Sequence, residues 1–107
     1  MVYFSEISKQ DFRNIIIGLA TWKKHPLEYN HAVKYVLEIR QVCEILDTKK
    51  FHSNTQYTSH KRFGEKVYKY KRNKNTIWNI IYNYDKENNI VYIEKIISSH
   101  LTISGIR

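Results

Sequence analysis

The run Val67-Tyr68-Lys69-Tyr70-Lys71-Arg72 alternates aromatic and basic residues. In a strand, successive side chains point to opposite faces, so Tyr68 and Tyr70 share one side while Lys69 and Lys71 share the other. Two ammonium groups about 7 Å apart along a strand can touch neighbouring phosphates of one nucleic-acid strand. Lysines also mark ordinary solvated or edge strands, so the pair acquires meaning only from its setting. His100 follows Ser98-Ser99 and has the parity of Tyr92, Glu94 and Ile96. Histidine is the side chain whose unperturbed charge changes between about pH 5 and 8, which suits it to proton transfer. His52 and His60 lie in one polar stretch, but without a third ligand at a recognisable spacing they specify no metal site.

The charge distribution supplies part of that setting. The chain has 107 residues and a net charge of +8. Residues 1–47 hold six Lys/Arg against six Asp/Glu, whereas 49–74 hold nine basic residues and one acid, Glu65. The whole excess lies in that second stretch. Such a block attracts a polyanion, and phosphate contacts would make binding fall steeply with salt. Lys61, Arg62, Lys66 and Arg72 therefore join the strand lysines as candidates for contact with nucleic acid or an acidic protein partner.

Other classes are excluded. A lone Cys43 leaves no internal disulfide and no cysteine-based zinc cluster. No apolar run approaches the 18 or so residues of a membrane span. Met1-Val2-Tyr3-Phe4 has no basic region ahead of an apolar one, so no secretory signal is expected. The expectation is one soluble, cytoplasmic domain over 1–107, with no metal and no small-molecule cofactor.

The elements that must position these residues follow from hydrophobic period. Val2–Phe4 is a short β-prone start. Ser8, with Asp11 three residues on, predicts a helix N-terminus, and Phe12, Ile15, Ile16, Leu19 and Ala20 fall on one helical face. His25-Pro26 ends that helix or begins the next. A second helix over about 28–46 carries Tyr29, Ala32, Val33, Val36, Ile39, Cys43 and Leu46 as its apolar stripe. Residues 48–64 read as a polar loop. Three β-rich runs follow, at 66–72, 77–84 and 90–98, separated by hairpin loops. In the middle run Trp78, Ile80, Tyr82 and Tyr84 share one face, and Asn79 and Asn83 the other. The prediction is an α+β fold of order β-α-α-β-β-β. A helix hairpin covers one face of a mainly antiparallel sheet of three or four strands, and the opposite face stays open.

That order and these residues resemble the RelE/ParE superfamily of small bacterial toxins from type II toxin–antitoxin operons. Val2 to Phe12 looks like the family's first strand running into a helix. Tyr68-Lys69-Tyr70-Lys71 followed by Trp78-Asn79-Ile80-Ile81-Tyr82 is similar to the paired strand motifs of the mRNA-cutting members. Asn89 to Ile93, on to Ser98-Ser99-His100, looks like the last strand and its functional end. The resemblance implies ribosome-dependent mRNA cleavage on the open sheet face, with the 2′-hydroxyl as nucleophile. Lys69 and Lys71 match the lysines around the scissile phosphate, and His100 matches a position held by Arg or His. Asn79 departs from the Arg that most members carry there, and an amide offers no positive charge.

Two readings follow from the resemblance, with a third beside them. In the first, the chain is an mRNA endoribonuclease with Lys69, Lys71 and His100 catalytic, Lys61, Arg62, Lys66, Arg72 and Asn79 on RNA, and the ribosome as partner. In the second, it is a ParE-like toxin that poisons DNA gyrase through protein contact. In the third, it is a nucleic-acid-binding domain of the same fold without toxicity. The first two imply a cognate antitoxin that covers the basic surface.

Overall fold

The first helix begins at Ser5, one turn earlier than the sequence pattern predicts. In the computed structural model, which describes residues 1–23 and 26–99, strand β1 (Val2–Phe4) runs straight into α1 (Glu6–Thr21). Ser5 keeps extended backbone geometry, and its Oγ accepts the Ser8 N–H at 3.0 Å. The Ser8 hydroxyl donates back to the Ser5 carbonyl at 2.9 Å, so Ser8 supports the cap instead of forming it. Asp11, expected as the acidic member of a capping box, is buried against the sheet.

Helix α2 (Tyr29–Glu44) follows, then a 3₁₀ turn (Leu46–Thr48). Its predicted stripe is the buried one: Ala32, Val36, Ile39, Cys43 and Leu46 are enclosed, while Tyr29 is exposed. The stretch expected as a polar loop holds a two-residue strand, β2 (Ser53–Asn54), and a single-turn helix, α3 (Thr58–Lys61). Strands β3 (Lys66–Asn73), β4 (Thr76–Asp85) and β5 (Ile90–Ser99) complete the chain as far as it is described.

The sheet has five strands in the order β1-β5-β4-β3-β2. β1 lies parallel to β5, and the other pairs are antiparallel. The additional strand arises because Ser53 and Asn54 pair with Val67 and Lys66 at the outer edge of β3. Both helices sit on one face. Phe12, Val36, Ile39, Cys43 and Leu46 pack there against Trp78, Ile80, Tyr82, Val91 and Ile93. The Trp78 indole donates to the Tyr35 hydroxyl at 3.0 Å, so the largest aromatic in this layer keeps its polar atom paired. Cys43 is fully buried, and that burial pushes its thiol far above its ordinary range. It belongs to the core.

The opposite face is only partly open. After β2 the chain crosses it and returns at β3. The Thr55 N–H donates to the Glu65 carbonyl at 2.9 Å, and the Glu65 N–H donates to Asn83 Oδ1 at 3.0 Å. Gly64 comes so close that a Cβ there would meet the Tyr82 carbonyl oxygen at 2.9 Å. Only a residue without a side chain allows this approach. Ile81, on this face, is consequently fully buried. Among the described residues no helix is long and apolar enough to cross a membrane.

Candidate functional site

Lys69 and Lys71 lie where strand parity puts them, on the side of β3 away from α1 and α2, and both are exposed. Tyr68 and Tyr70 turn the other way and pack against the core. Cross-strand partners of the lysines are Asn79 and Ile77. The segment that crosses this face ends just short of them, which leaves a groove of about 320 Å³ between β2, α3 and β3. Asn54, Gln56, Tyr57, His60, Val67 and Lys69 line it.

His60 is the titratable group of this groove. Its ring meets the Tyr57 ring edge-on, with centroids 5.3 Å apart and planes at 78°. Partial burial lowers its pKa below the ordinary 6.5, and the positive charge of Lys69 lowers it further. The ring is therefore neutral at pH 7 and able to accept a proton. Sequence reasoning considered His60 only as a metal ligand beside His52. A four-residue helix is too short to show periodicity, and its one signal was a histidine set inside the basic block.

His52 lies on the other side of the sheet. Its Nδ1 is 2.6 Å from the Tyr82 hydroxyl, and its ring stacks on Tyr84 at 4.0 Å. The two histidines therefore form no metal pair, and no cluster of three His, Cys, Asp or Glu suited to a metal occurs among the described residues.

The remaining candidates divide. Lys61 and Arg62 are exposed at the end of α3, beside the groove. Lys66 is half-buried and donates to Asn54 Oδ1 at 2.6 Å, so it ties β2 to β3. Arg72 does not join Lys69 and Lys71. Its guanidinium lies 4.5 Å over the Tyr35 ring and 3.4 Å from Glu38, on the helix side, because it shares the parity of Tyr68 and Tyr70. Asn79 has the expected parity but is buried, with its Nδ2 donating to the Ile97 carbonyl at 3.2 Å. It serves the β4–β5 pairing and presents no surface to RNA. His100 lies outside the described residues.

Comparison with protein-family models, with curated proteins and with solved structures finds no match to this chain. The chemistry must therefore be read from the arrangement itself. Two exposed ammonium groups can hold consecutive phosphates, and a neutral imidazole beside one of them can move a proton.

Proposed function

We propose that the chain is a RelE-like toxin of a type II toxin–antitoxin module that cuts ribosome-bound mRNA in the cytoplasm. The observation that carries this reading is the exposed Lys69–Lys71 pair on the face of β3 opposite α1 and α2. In the proposed complex these residues hold the scissile phosphate and its neighbour, with Lys61 and Arg62 gathering the strand at the groove rim. An acidic antitoxin segment covers the same surface, since the +8 that attracts RNA also attracts a polyanionic peptide.

One observation favours the ParE-like alternative. Asn79 is buried and uncharged, so β4 brings no cation beside Lys69 to stabilise a developing phosphorane. Induction of the chain in bacterial cells separates the two readings. Bulk translation and message integrity fail first if the chain cuts RNA, whereas supercoiling fails first, with translation intact, if gyrase is the target. A chain that arrests neither process and still binds RNA would leave only the non-toxic nucleic-acid-binding reading.

A further inference from the structure

We infer that His60 is the general base of RNA cleavage in the β2–α3–β3 groove, taking the proton of the 2′-hydroxyl next to the phosphate that Lys69 holds. The inference rests on the reading above and deepens it.

A groove of about 320 Å³ is at the small end of ligand sites, enough for a single nucleotide. It brings one imidazole and one ammonium to a common cavity, and the two groups have complementary abilities. A protonated lysine has no lone pair with which to accept a proton, so Lys69 holds the phosphate and cannot be the base. A neutral imidazole accepts one. The strands bring one charged group to His60. Lys69 faces it from β3, while β2 contributes only uncharged Ser53 and Asn54, the latter engaged by Lys66. On its own segment Tyr57 packs edge-on and limits how the imidazole can turn, and the cations Lys61 and Arg62 follow it, both exposed. Among the described residues no carboxylate lines the groove to pull His60 toward its charged form.

The step is an intramolecular displacement. His60 takes the proton from the 2′-oxygen, whose electron pair forms a new O–P bond. The bond from phosphorus to the 5′-oxygen breaks, and that oxygen takes a proton from water. His60 then returns its proton to solvent. The products are a 2′,3′-cyclic phosphate and a 5′-hydroxyl end, with no oxidation change and no further reactant.

The test measures single-turnover cleavage of ribosome-bound message against pH for the wild type, His60→Ala, His60→Gln and Lys69→Met. Both His60 variants should cleave about 10²–10⁴-fold more slowly with unchanged RNA affinity. The wild-type rate should rise with pH to a plateau whose midpoint is the His60 pKa in the RNA complex, and in the free protein that midpoint lies below 6.5. Lys69→Met should move that midpoint upward, because a neighbouring positive charge is gone. A merely structural role for His60 would not shift a pH midpoint. An NMR titration of the His60 ring in the wild type and in Lys69→Met reads the same shift without catalysis, and identical midpoints would overturn the shared site. Wild-type cleavage that survives His60→Gln overturns the His60 assignment alone. A wild type that cuts no message overturns the nuclease reading, and the base with it.

Discussion

The Asp11 carboxylate and the backbone of Ile96 together close an edge of the sheet that β1 does not reach. β1 pairs with β5 only as far as Ile93, and the outer side of the following residues needs other partners. The start of α1 takes over. The Ser5 N–H donates to the Ile93 carbonyl at 2.9 Å, and the Ser5 hydroxyl donates to the Glu94 carbonyl at 3.2 Å. Asp11 Oδ2 then accepts the Ile96 N–H at 2.9 Å, while Oδ1 meets Lys95 Nζ at 2.8 Å. A helix thus blunts an edge that would otherwise template pairing with another chain.

Asp11→Ala should remove both interactions and leave a buried N–H and a largely enclosed ammonium without their acceptor. The expected cost is about 3 kcal/mol, read as a lower urea midpoint at unchanged slope. Asp11→Asn keeps a carbonyl acceptor for Ile96 and should cost clearly less. Equal midpoints for wild type and Asp11→Ala would show that the carboxylate is not what closes the edge.

Two glycines should respond with opposite signs. Gly18 is in α1 with nothing within 4 Å of a would-be Cβ, so Gly18→Ala should stabilise by about 0.5–1 kcal/mol. At Gly64 a Cβ would meet the Tyr82 carbonyl oxygen at 2.9 Å and Ile81 Cγ2 at 3.1 Å. The first of these is backbone and cannot swing aside, so Gly64→Ala should cost about 1–3 kcal/mol. It should also lift the crossing segment, and with it His60, away from Lys69. Thermal midpoints of the two variants check the signs.

The contrast shows which parts of the fold are legible from sequence. Period-two alternation places Tyr68, Tyr70, Trp78, Ile80 and Tyr82 toward the helices and Lys69 and Lys71 away from them, because long strands repeat their pattern often enough to be read. Spacings of three and four place Val36, Ile39 and Cys43 in the core for the same reason. The crossing segment is not legible. A two-residue strand and a single helical turn carry no period, and what anchors them is distant: Asn83 to Glu65, Gly64 against Tyr82. That segment builds the groove, so the sequence alone hides the role open to His60. Arg72 and Asn79 mislead differently. Charge or motif groups both with the exposed lysines, but Glu38 and Tyr35 engage the first and Ile97 the second. Those partners are about 18 to 37 positions away in the chain, beyond any local pattern.

Stability should fall as the solution becomes mildly acidic. Burial holds the His52 pKa below the ordinary 6.5, with nearby Lys66 adding to the effect. The unfolded chain therefore binds a proton more readily than the folded one. The stabilisation is fully present above 6.5 and is lost as pH falls from there toward the folded value. His60 is lowered too and contributes in the same window. Urea midpoints at pH 7.5 and 5 should therefore differ in the wild type and still differ in His60→Gln, where His52 remains. Asp85, held below its ordinary 3.8 by bonds from Asn88, acts only at lower pH and does not confuse the comparison. A midpoint independent of pH across this range would contradict the neutral His52 packed against Tyr82 and Tyr84.

The basic residues should separate into those that bind and those that build. Lys69→Ala and Lys71→Ala remove exposed charges, so folding stability should stay within about 0.5 kcal/mol of the wild type. Each should flatten the dependence of RNA affinity on salt, lowering the log–log slope by about 0.7 for every phosphate of a single strand that is no longer neutralised. Arg72→Ala should do the reverse. Its guanidinium covers Tyr35 and meets Glu38 on the helix side, so the change should cost about 1 kcal/mol of stability. The salt slope should not change, because the opposite face of the sheet keeps its charges. Salt titrations of a fluorescent single-stranded RNA against the three variants measure all of these slopes together. If Arg72→Ala lowers the slope as much as Lys69→Ala does, the helix side of the sheet also contacts RNA. The binding surface is then not confined to the face that carries Lys69 and Lys71.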